Sequence, residues 1–313
     1  MLAIIMIVIL RPAAAALPYR RALQLARTFG FANATMPWYG RRTFLLMRDA
    51  FGHDGNVNGT KWLAAEYLAR PLCDSIVLRR VLRRGRADFD TWRVEQRGTT
   101  GVDELRASDE SFILATGHFS RQACMPLYVP QIIRQKITSI VLPPTALSLH
   151  PRTWWLSYHY GQMLDCLRYA QPDMDFVHPG QVGAYKRLVE KLADRRNVLI
   201  VFADAPPAAG GRGYKRPFAG FRARRFATGA ARLSRLTGRP IAVCLPYLGD
   251  DKSIVLEWTR VIRPPKACGE NWDRSVTDAI LDDIETAIGR RPTQYVLDCL
   301  GERRWDARAE RWV

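Results

Sequence analysis

The chain has 313 residues, of which 48% are hydrophobic and 25% are charged. With nine Trp, eleven Tyr and twelve Phe it is too rich in apolar side chains for an intrinsically disordered protein. No apolar run reaches the roughly 18 to 20 residues of a membrane-spanning helix, which excludes a polytopic membrane protein. The net charge of +17 indicates an anionic partner, such as nucleic acid, a membrane surface or a phosphorylated substrate.

The N-terminal segment favours contact with a membrane. Residues 2–10 (LAIIMIVIL) are all apolar, but these nine residues are too few to span a bilayer. From Tyr19 onward we predict an amphipathic helix with Arg20, Arg21 and Arg27 among its apolar residues, a pattern typical of helices that lie in a membrane interface. Two alternatives stay open: a helix that packs on the rest of the protein, and a cleaved signal peptide over the first residues.

Two regions of different character divide the chain near residue 90. Residues 38–86 are predicted to be helical, because apolar residues recur there at three- and four-residue spacing. We therefore predict an N-terminal helical, membrane-interface region over residues 1–90. An α/β domain follows over residues 91–313.

Short strands alternate with helices after residue 90. Strands are predicted at 91–97, 111–116, 137–142, 174–178, 198–203, 240–245 and 253–261, and helices near 150–166, 181–196, 222–237, 272–288 and 292–301. This alternation predicts an α/β fold with a mostly parallel central sheet flanked by helices.

Two strand ends carry candidate catalytic residues. In parallel sheets, sites form where loops leave the carboxyl ends of strands. His118 follows the strand at 111–116, and a neutral imidazole there can accept a proton from a hydroxyl as a general base. Asp204 follows the strand at 198–203 and offers a carboxylate. The alternatives are a His bonded to the backbone and an Asp that only caps a loop.

A glycine-rich, basic loop at residues 210–220 (GGRGYKRPFAG) is predicted to bind an anion. Backbone N–H groups and the side chains of Arg212, Lys215 and Arg216 can converge there on one phosphate. The loop lacks the Lys-Ser/Thr ending of a nucleotide P-loop, so we predict no ATP or GTP binding.

The segment that follows this loop extends the basic character. The predicted helix at 222–237 adds Arg225 as a further anion-binding candidate, and the N-terminal end of such a helix also favours anions. Between residues 210 and 239 the sequence has nine basic residues and no Asp or Glu. The alternative is a solvated basic face without a specific ligand.

Four sequence blocks together carry a family resemblance. They are FILATGHF (112–119), VLIVFAD (198–204), RPFAGF (216–221) and ARLSRLTGRPIAVCLPY (231–247). In order and spacing they resemble the lipid A biosynthesis acyltransferases, the lauroyl/myristoyl branch of the lysophospholipid acyltransferase superfamily. The segment RRTFLLMRDAFG (41–52) resembles the N-terminal part of the same family, so the resemblance covers most of the chain.

The resemblance implies a catalytic role for His118 and shows one departure. Family members have a His, four residues and then an Asp or Glu that orients the imidazole. In this chain the acid position holds Ala123. Three alternatives follow: another carboxylate replaces the acid, with Asp204 the leading candidate; His118 acts without an acid; or the chain is a degenerate relative that binds lipid without turnover.

The resemblance and the charge together imply a membrane-associated acyltransferase. It would move a fatty acyl group from acyl carrier protein or coenzyme A to a hydroxyl of a lipid or glycolipid, with no further cofactor. We expect it at the cytoplasmic face of the bacterial inner membrane, peripheral or N-terminally anchored. No nucleic-acid partner is predicted. The six cysteines lack a zinc spacing, so we predict reduced thiols and no metal.

Overall fold

A computed structural model of the chain places seven strands in one sheet. It describes residues 11–34, 93–119, 132–133, 135–142, 171–207, 213–248, 253–295, 305–306 and 311–312, together with residues 129, 161, 163–165 and 167–169.

The sheet has the strand order β1-β9-β8-β2-β5-β3-β4. Its strands are β1 (Arg93–Arg97), β2 (Phe112–Thr116), β3 (Lys136–Ile140), β4 (Asp175–Val177), β5 (Asn197–Phe202), β8 (Ile241–Leu248) and β9 (Ser253–Ile262). Every neighbouring pair is parallel except β8 and β9. The predicted mostly parallel sheet is confirmed, and each of its seven strands lies where the sequence pattern predicts it.

Helices cover both faces of the sheet. The described helices are α1 (Arg11–Ala16), α2 (Tyr19–Ala34), α3 (Thr100–Ala107), α4 (Ala184–Ala193), α5 (Gly229–Thr237) and α6 (Glu270–Arg290). Because side chains alternate along a strand, Ile113 and Ala115 of β2 join one apolar core under α4, α5 and α6. Phe112 and Leu114 join a second core with α3 and with the helical residues Leu164 and Leu167. Strands buried on both faces read as continuous apolar runs, which explains the sequence of β2.

A β-hairpin replaces the predicted loop and the first part of the predicted helix at 222–237. Strands β6 (Tyr214–Phe218) and β7 (Phe221–Phe226) pair antiparallel, and α5 begins only at Gly229. The helical position predicted for Arg225 is therefore wrong.

Backbone geometry at the hairpin tip explains that error. Ala219 and Gly220 join the two strands with φ angles of 47° and 80°. Two successive residues with positive φ form the type I′ turn that closes a two-residue hairpin. The apolar spacing of Phe226, Ala230 and Leu233 resembles a helix, but only its second part is helical.

The helix predicted at 292–301 is also wrong at its start. A short 3₁₀ helix (Pro292–Gln294) follows α6, and Tyr295 then pairs with Phe119 in an antiparallel bridge. Residues 296–304 lie outside the described part, as do most residues of the helix predicted at 150–166. Strands β10 (Trp305–Asp306) and β11 (Arg311–Trp312) form a separate antiparallel pair.

The amphipathic helix predicted from Tyr19 is present as α2. Ala22 and Ala26 on one face of α2 are fully buried, whereas Arg21 and Arg27 are exposed. One side of α2 is therefore covered, and the exposed arginines lie away from that side. Among the described helices, none combines the length and the apolar character that crossing a membrane requires.

Candidate active site

The register of β2 and β5 brings the two predicted strand-end residues together. Thr116 pairs with Phe202 at the carboxyl ends of these parallel strands. His118 and Asp204 keep the same 86-residue offset two positions further on. The ladder also continues past the strands, since Ala203 donates its N–H to the Thr116 carbonyl over 2.8 Å. Both residues therefore leave the sheet at the same level and meet directly.

Asp204 holds both the ring and the backbone of His118. The Nδ1 atom of His118 lies 2.6 Å from Asp204 Oδ1, and the backbone N–H of His118 donates to Oδ2 over 2.8 Å. The Asp204 side chain is fully buried, whereas 19% of the His118 side chain is exposed. A carboxylate in this position fixes the ring with its proton on Nδ1, which leaves the basic lone pair on Nε2.

The surroundings of Asp204 keep its carboxylate charged. Burial by itself raises the pKa of Asp204, because it disfavours the charged form. The opposing attraction of His118 and the hydrogen bonds from His118 and Tyr295 outweigh burial, so that the pKa of Asp204 is lowered. A charged, buried carboxylate is suited to stabilise a protonated imidazole during proton transfer.

Close packing fixes the backbone at His118. Phe119 donates its N–H to the Gly117 carbonyl over 2.9 Å, which closes a γ-turn centred on His118. A Cβ at Gly117 would lie 3.0 Å from the Phe119 ring and 3.2 Å from Ile284, so glycine lets the end of β2 approach α6. The imidazole of His118 packs on the ring of Phe202, with 4.6 Å between the two ring centroids.

Tyr295 is a member of the site that the sequence did not reveal. Its hydroxyl donates to Asp204 Oδ2 over 2.8 Å, and its ring packs edge-on against Phe119. Tyr295 lies 91 residues beyond Asp204 in the sequence, outside every motif, and it was predicted to be helical. No local signal identifies such a residue, because its role depends on where the chain returns after α6.

We predict that Tyr295→Phe weakens the fold without separating the His–Asp pair. A hydrogen bond to a charged, buried acceptor contributes about 1.5–3 kcal/mol, so the free energy of unfolding should fall by about that amount. Urea unfolding measures it. Tyr169→Phe is the matched control, because 63% of Tyr169 is exposed. Equal stability of both variants would contradict the importance of this hydrogen bond.

The predicted anion-binding residues are distributed over both faces of the hairpin. Lys215 and Arg225 pair directly across the two strands, and both are exposed. Arg216 points the other way, toward α6. Arg212 lies outside the described residues, as does Ala123.

Arg216 is bound by three carboxylates of α6. Its Nη1 contacts Asp278 at 3.2 Å, and its Nη2 contacts Asp282 at 2.8 Å and also Glu285. Glu285 additionally accepts the N–H of Ala219 at the hairpin tip over 2.7 Å. These contacts dock the hairpin on α6. The guanidinium of Arg216 thus has a structural role, because it binds the hairpin to α6. The phosphate-binding role predicted for Arg216 stays a prediction.

We predict that Arg216→Met destabilises the protein by about 1–3 kcal/mol, because three carboxylates lose their common counter-ion. Lys215→Met is the control from the exposed face of the same strand, and its free energy of unfolding should stay within about 0.5 kcal/mol of wild type. Urea unfolding of both variants provides the comparison. A stable Arg216→Met variant would mean that the ion cluster does not hold the hairpin.

A buried carboxylate–histidine pair at the carboxyl edge of a mostly parallel sheet thus defines the candidate site. Within the described residues, no group of three or more His, Cys, Asp or Glu side chains is arranged to hold a metal ion.

Comparison with known proteins finds solved structures to which the chain is similar. No protein-family model matches, and no curated protein matches. The chain is similar to the crystal structure of the 1-acyl-sn-glycerophosphate (LPA) acyltransferase PlsC from Thermotoga maritima, with 16% identity and a TM-score of 0.39. The match covers 80% of this chain and 98% of that one. A likeness at this level assigns neither a family nor an activity to this chain.

Proposed function

We propose that the protein is an acyltransferase in which His118 is the general base and Asp204 orients it. The observation that carries this proposal is the 2.6 Å contact between His118 Nδ1 and the buried Asp204 carboxylate. An imidazole held in this way by a carboxylate is the arrangement that activates hydroxyl nucleophiles. The sequence blocks that resemble the lipid A acyltransferases include both residues.

The proposed chemistry is the transfer of an acyl group from a thioester to a hydroxyl. The hydroxyl of the acceptor gives its proton to His118 Nε2 as its oxygen attacks the thioester carbonyl carbon. Asp204 stabilises the imidazolium that forms. When the tetrahedral intermediate collapses, the C–S bond breaks and the imidazolium returns the proton to the leaving thiolate. An ester and a free thiol result, and the site is ready for another cycle.

Asp204 supplies what the family motif lacks at Ala123. Of the three alternatives for this departure, the hydrogen-bonding geometry favours replacement of the missing acid by Asp204. A carboxylate need only reach Nδ1 with the correct orientation, and its position along the chain does not matter. The strand register meets this condition, because it brings residues 118 and 204 to the same level of the sheet.

The proposed setting is the cytoplasmic face of the bacterial inner membrane. Each basic residue near an anionic bilayer contributes about 1 kcal/mol of attraction, so a net charge of +17 favours such a surface. The exposed Lys215 and Arg225 on the outer face of the hairpin, and Arg21 and Arg27 on α2, support this placement. We propose acyl carrier protein or coenzyme A as the acyl carrier and a lipid or glycolipid as the acceptor.

An acyl-transfer assay tests the proposed function. The full chain is incubated with radiolabelled acyl-coenzyme A or acyl carrier protein and a panel of lysophospholipids and glycolipids in anionic vesicles. We expect a labelled ester product with at least one donor–acceptor pair. If the protein binds the vesicles but yields no product with any pair, the proposed activity is wrong and the lipid-binding alternative takes its place.

A further inference from the structure

Phe119, the residue after the proposed base, is packed between two buried tyrosines. Its ring lies edge-on against Tyr247 and Tyr295, with ring centroids 5.6 Å and 5.4 Å apart and interplanar angles of 73° and 67°. All three side chains belong to the same apolar core. Aromatic pairs prefer this geometry and gain from it beyond their buried area. Phe119 is therefore held from two directions, by β8 and by the segment that follows α6.

The backbone of Phe119 is tied to the backbone of His118. The N–H of Phe119 closes the γ-turn centred on His118, and Phe119 also pairs with Tyr295 in an antiparallel bridge. Because this turn has only three residues, a displacement of Phe119 displaces His118 as well. Both contacts with Asp204 depend on that position, since one uses the backbone N–H of His118 and the other its ring.

Arg291 adds a cation to this aromatic group. Its guanidinium carbon lies 4.4 Å from the centroid of the Tyr247 ring, a distance at which the charge attracts the ring. Helix α6 ends at Arg290, so Arg291 and Tyr295 both belong to the short segment that follows it. Residues 291–295 therefore contact the aromatic group at two points.

We propose that Phe119 is a positioning residue for His118 and that residues 291–295 hold it in place. His118 needs such support because β2 ends at Thr116 and the base lies on the turn beyond it. A misplacement of about 1 Å in a reacting group can cost about 10²-fold in rate. The catalytic role of Phe119 rests on the proposed function, whereas its effect on the His–Asp pair can be observed without a substrate.

Phe119→Leu in the full chain tests the positioning role. The reporter is the Nδ1 proton of His118, which the hydrogen bond to a carboxylate moves far downfield of the backbone amides in the NMR spectrum. His118→Asn identifies this signal by its loss. We expect Phe119→Leu to broaden the signal or move it upfield, because leucine fills less of the space between the two tyrosines. The kcat for acyl transfer should fall by about 10- to 100-fold with KM unchanged, since Phe119 is fully buried.

Phe112→Leu is the matched control. Phe112 begins the same strand, is also fully buried and belongs to the second core. The substitution therefore creates a similar cavity away from the turn, with a similar loss of stability. We expect this variant to keep the His118 signal and the kcat of the wild type.

Arg291→Met gives a second test that leaves the apolar core unchanged. It removes the cation from Tyr247, so the His118 signal should change in the same direction and kcat should fall by about two- to fivefold. Arg291→Lys keeps a cation and should restore most of both. Arg168→Met is its control, because Arg168 lies over the Phe176 ring at 5.4 Å on β4, and its loss should change neither readout.

An unchanged signal and an unchanged kcat in Phe119→Leu would overturn the positioning role. An equal change in Phe112→Leu would do the same, because the signal would then report stability alone. If Phe119→Leu does not fold, an unchanged signal in Arg291→Met overturns it. If the wild type shows the signal but transfers no acyl group, the proposed activity is wrong, and the NMR comparison still decides whether Phe119 positions the pair.

Discussion

His118→Asn should reduce acyl transfer by about 10⁴-fold or to the background rate, while the protein stays folded. The amide nitrogen of Asn can take the place of Nδ1 and donate to Asp204, so the buried carboxylate keeps its side-chain partner. Asn has no basic nitrogen at the position of Nε2, and it cannot accept the proton of a hydroxyl. General base catalysis contributes about 10²–10⁴-fold, and a base held by a carboxylate lies at the upper end. Single-turnover transfer rates measure the effect.

His178→Asn provides the control for this variant. His178 follows β4, and its Nδ1 lies 2.9 Å from the Val141 carbonyl, so it is a strand-end histidine held by the backbone. The same substitution there should leave the rate of acyl transfer unchanged. If His118→Asn retains wild-type activity, His118 is not the base. Vesicle binding, measured in parallel, shows whether His118→Asn still reaches its substrate.

The sheet was predictable from local apolar patterns. The His–Asp pair was predictable from the position of both residues at the carboxyl ends of predicted parallel strands. The apolar runs of β2 and β5 mark strands that are buried on both faces. Parallel neighbours end at one edge, so residues that follow their carboxyl ends meet there. His118 and Asp204 satisfy this rule, although the positions are 86 residues apart. The pairing register itself was not predictable, and it determines the contact distance.

The basic segment at residues 210–239 has partners that lie far away in the sequence. Residues 210–239 contain no acid, which suggests a surface available to anions. The structure supplies acids from elsewhere: Asp278, Asp282 and Glu285 on α6 lie 62, 66 and 69 residues beyond Arg216. Carboxylates from a distant part of the sequence thus balance part of the positive charge of this segment. The excess positive charge lies on its remaining basic residues.

The hairpin was not predicted because its sequence resembles a loop at residues 210–220 and a helix from residue 222 onward. Tyr214, Arg216 and Phe218 alternate inward with Lys215 and Pro217, which is the strand period, but glycines and basic residues around them suggested a loop. The signal available in the sequence was the pair Ala219-Gly220 between two Phe residues, which fits a two-residue turn. The burial of Arg224 on β7 had no sequence signal, since a charged residue on a short strand is ordinarily exposed.

Asp204→Asn should lower acyl transfer by about 10⁴-fold through the tautomer of His118. Asp204 accepts hydrogen bonds from the ring Nδ1, the backbone N–H of His118 and the Tyr295 hydroxyl. The backbone N–H can only donate, so the single amide oxygen of Asn must face it. The amide NH₂ then faces Nδ1 and moves the ring proton to Nε2, where a basic lone pair is needed. Loss of the orienting Asp in a Ser-His-Asp triad has an effect of this size.

The same variant makes a prediction about stability and pH. The folded-state pKa of Asp204 is lowered, so its contribution to stability is fully present above the unfolded value, about 3.9. That contribution is lost as the pH falls through the folded-state pKa, which lies lower still. The stability difference between wild type and Asp204→Asn should therefore be largest at neutral pH and shrink in acid. Urea unfolding over a pH series measures it.

Two controls separate positioning by Asp204 from mere support of the fold. Asp175 on β4 forms an ion pair with Lys191 on α4, with 2.9 Å between Asp175 Oδ2 and Lys191 Nζ. Asp175→Asn removes this carboxylate and should leave the transfer rate unchanged. Ala123→Glu, introduced into Asp204→Ala, restores an acid at the position where the family motif has one and leaves Nδ1 open to it. If Asp204 acts by orienting the imidazole, part of the lost rate returns when the new carboxylate reaches Nδ1 and resets the tautomer. Full activity of Asp204→Asn by itself would show that the imidazole needs no charged partner, and the pair would then be structural.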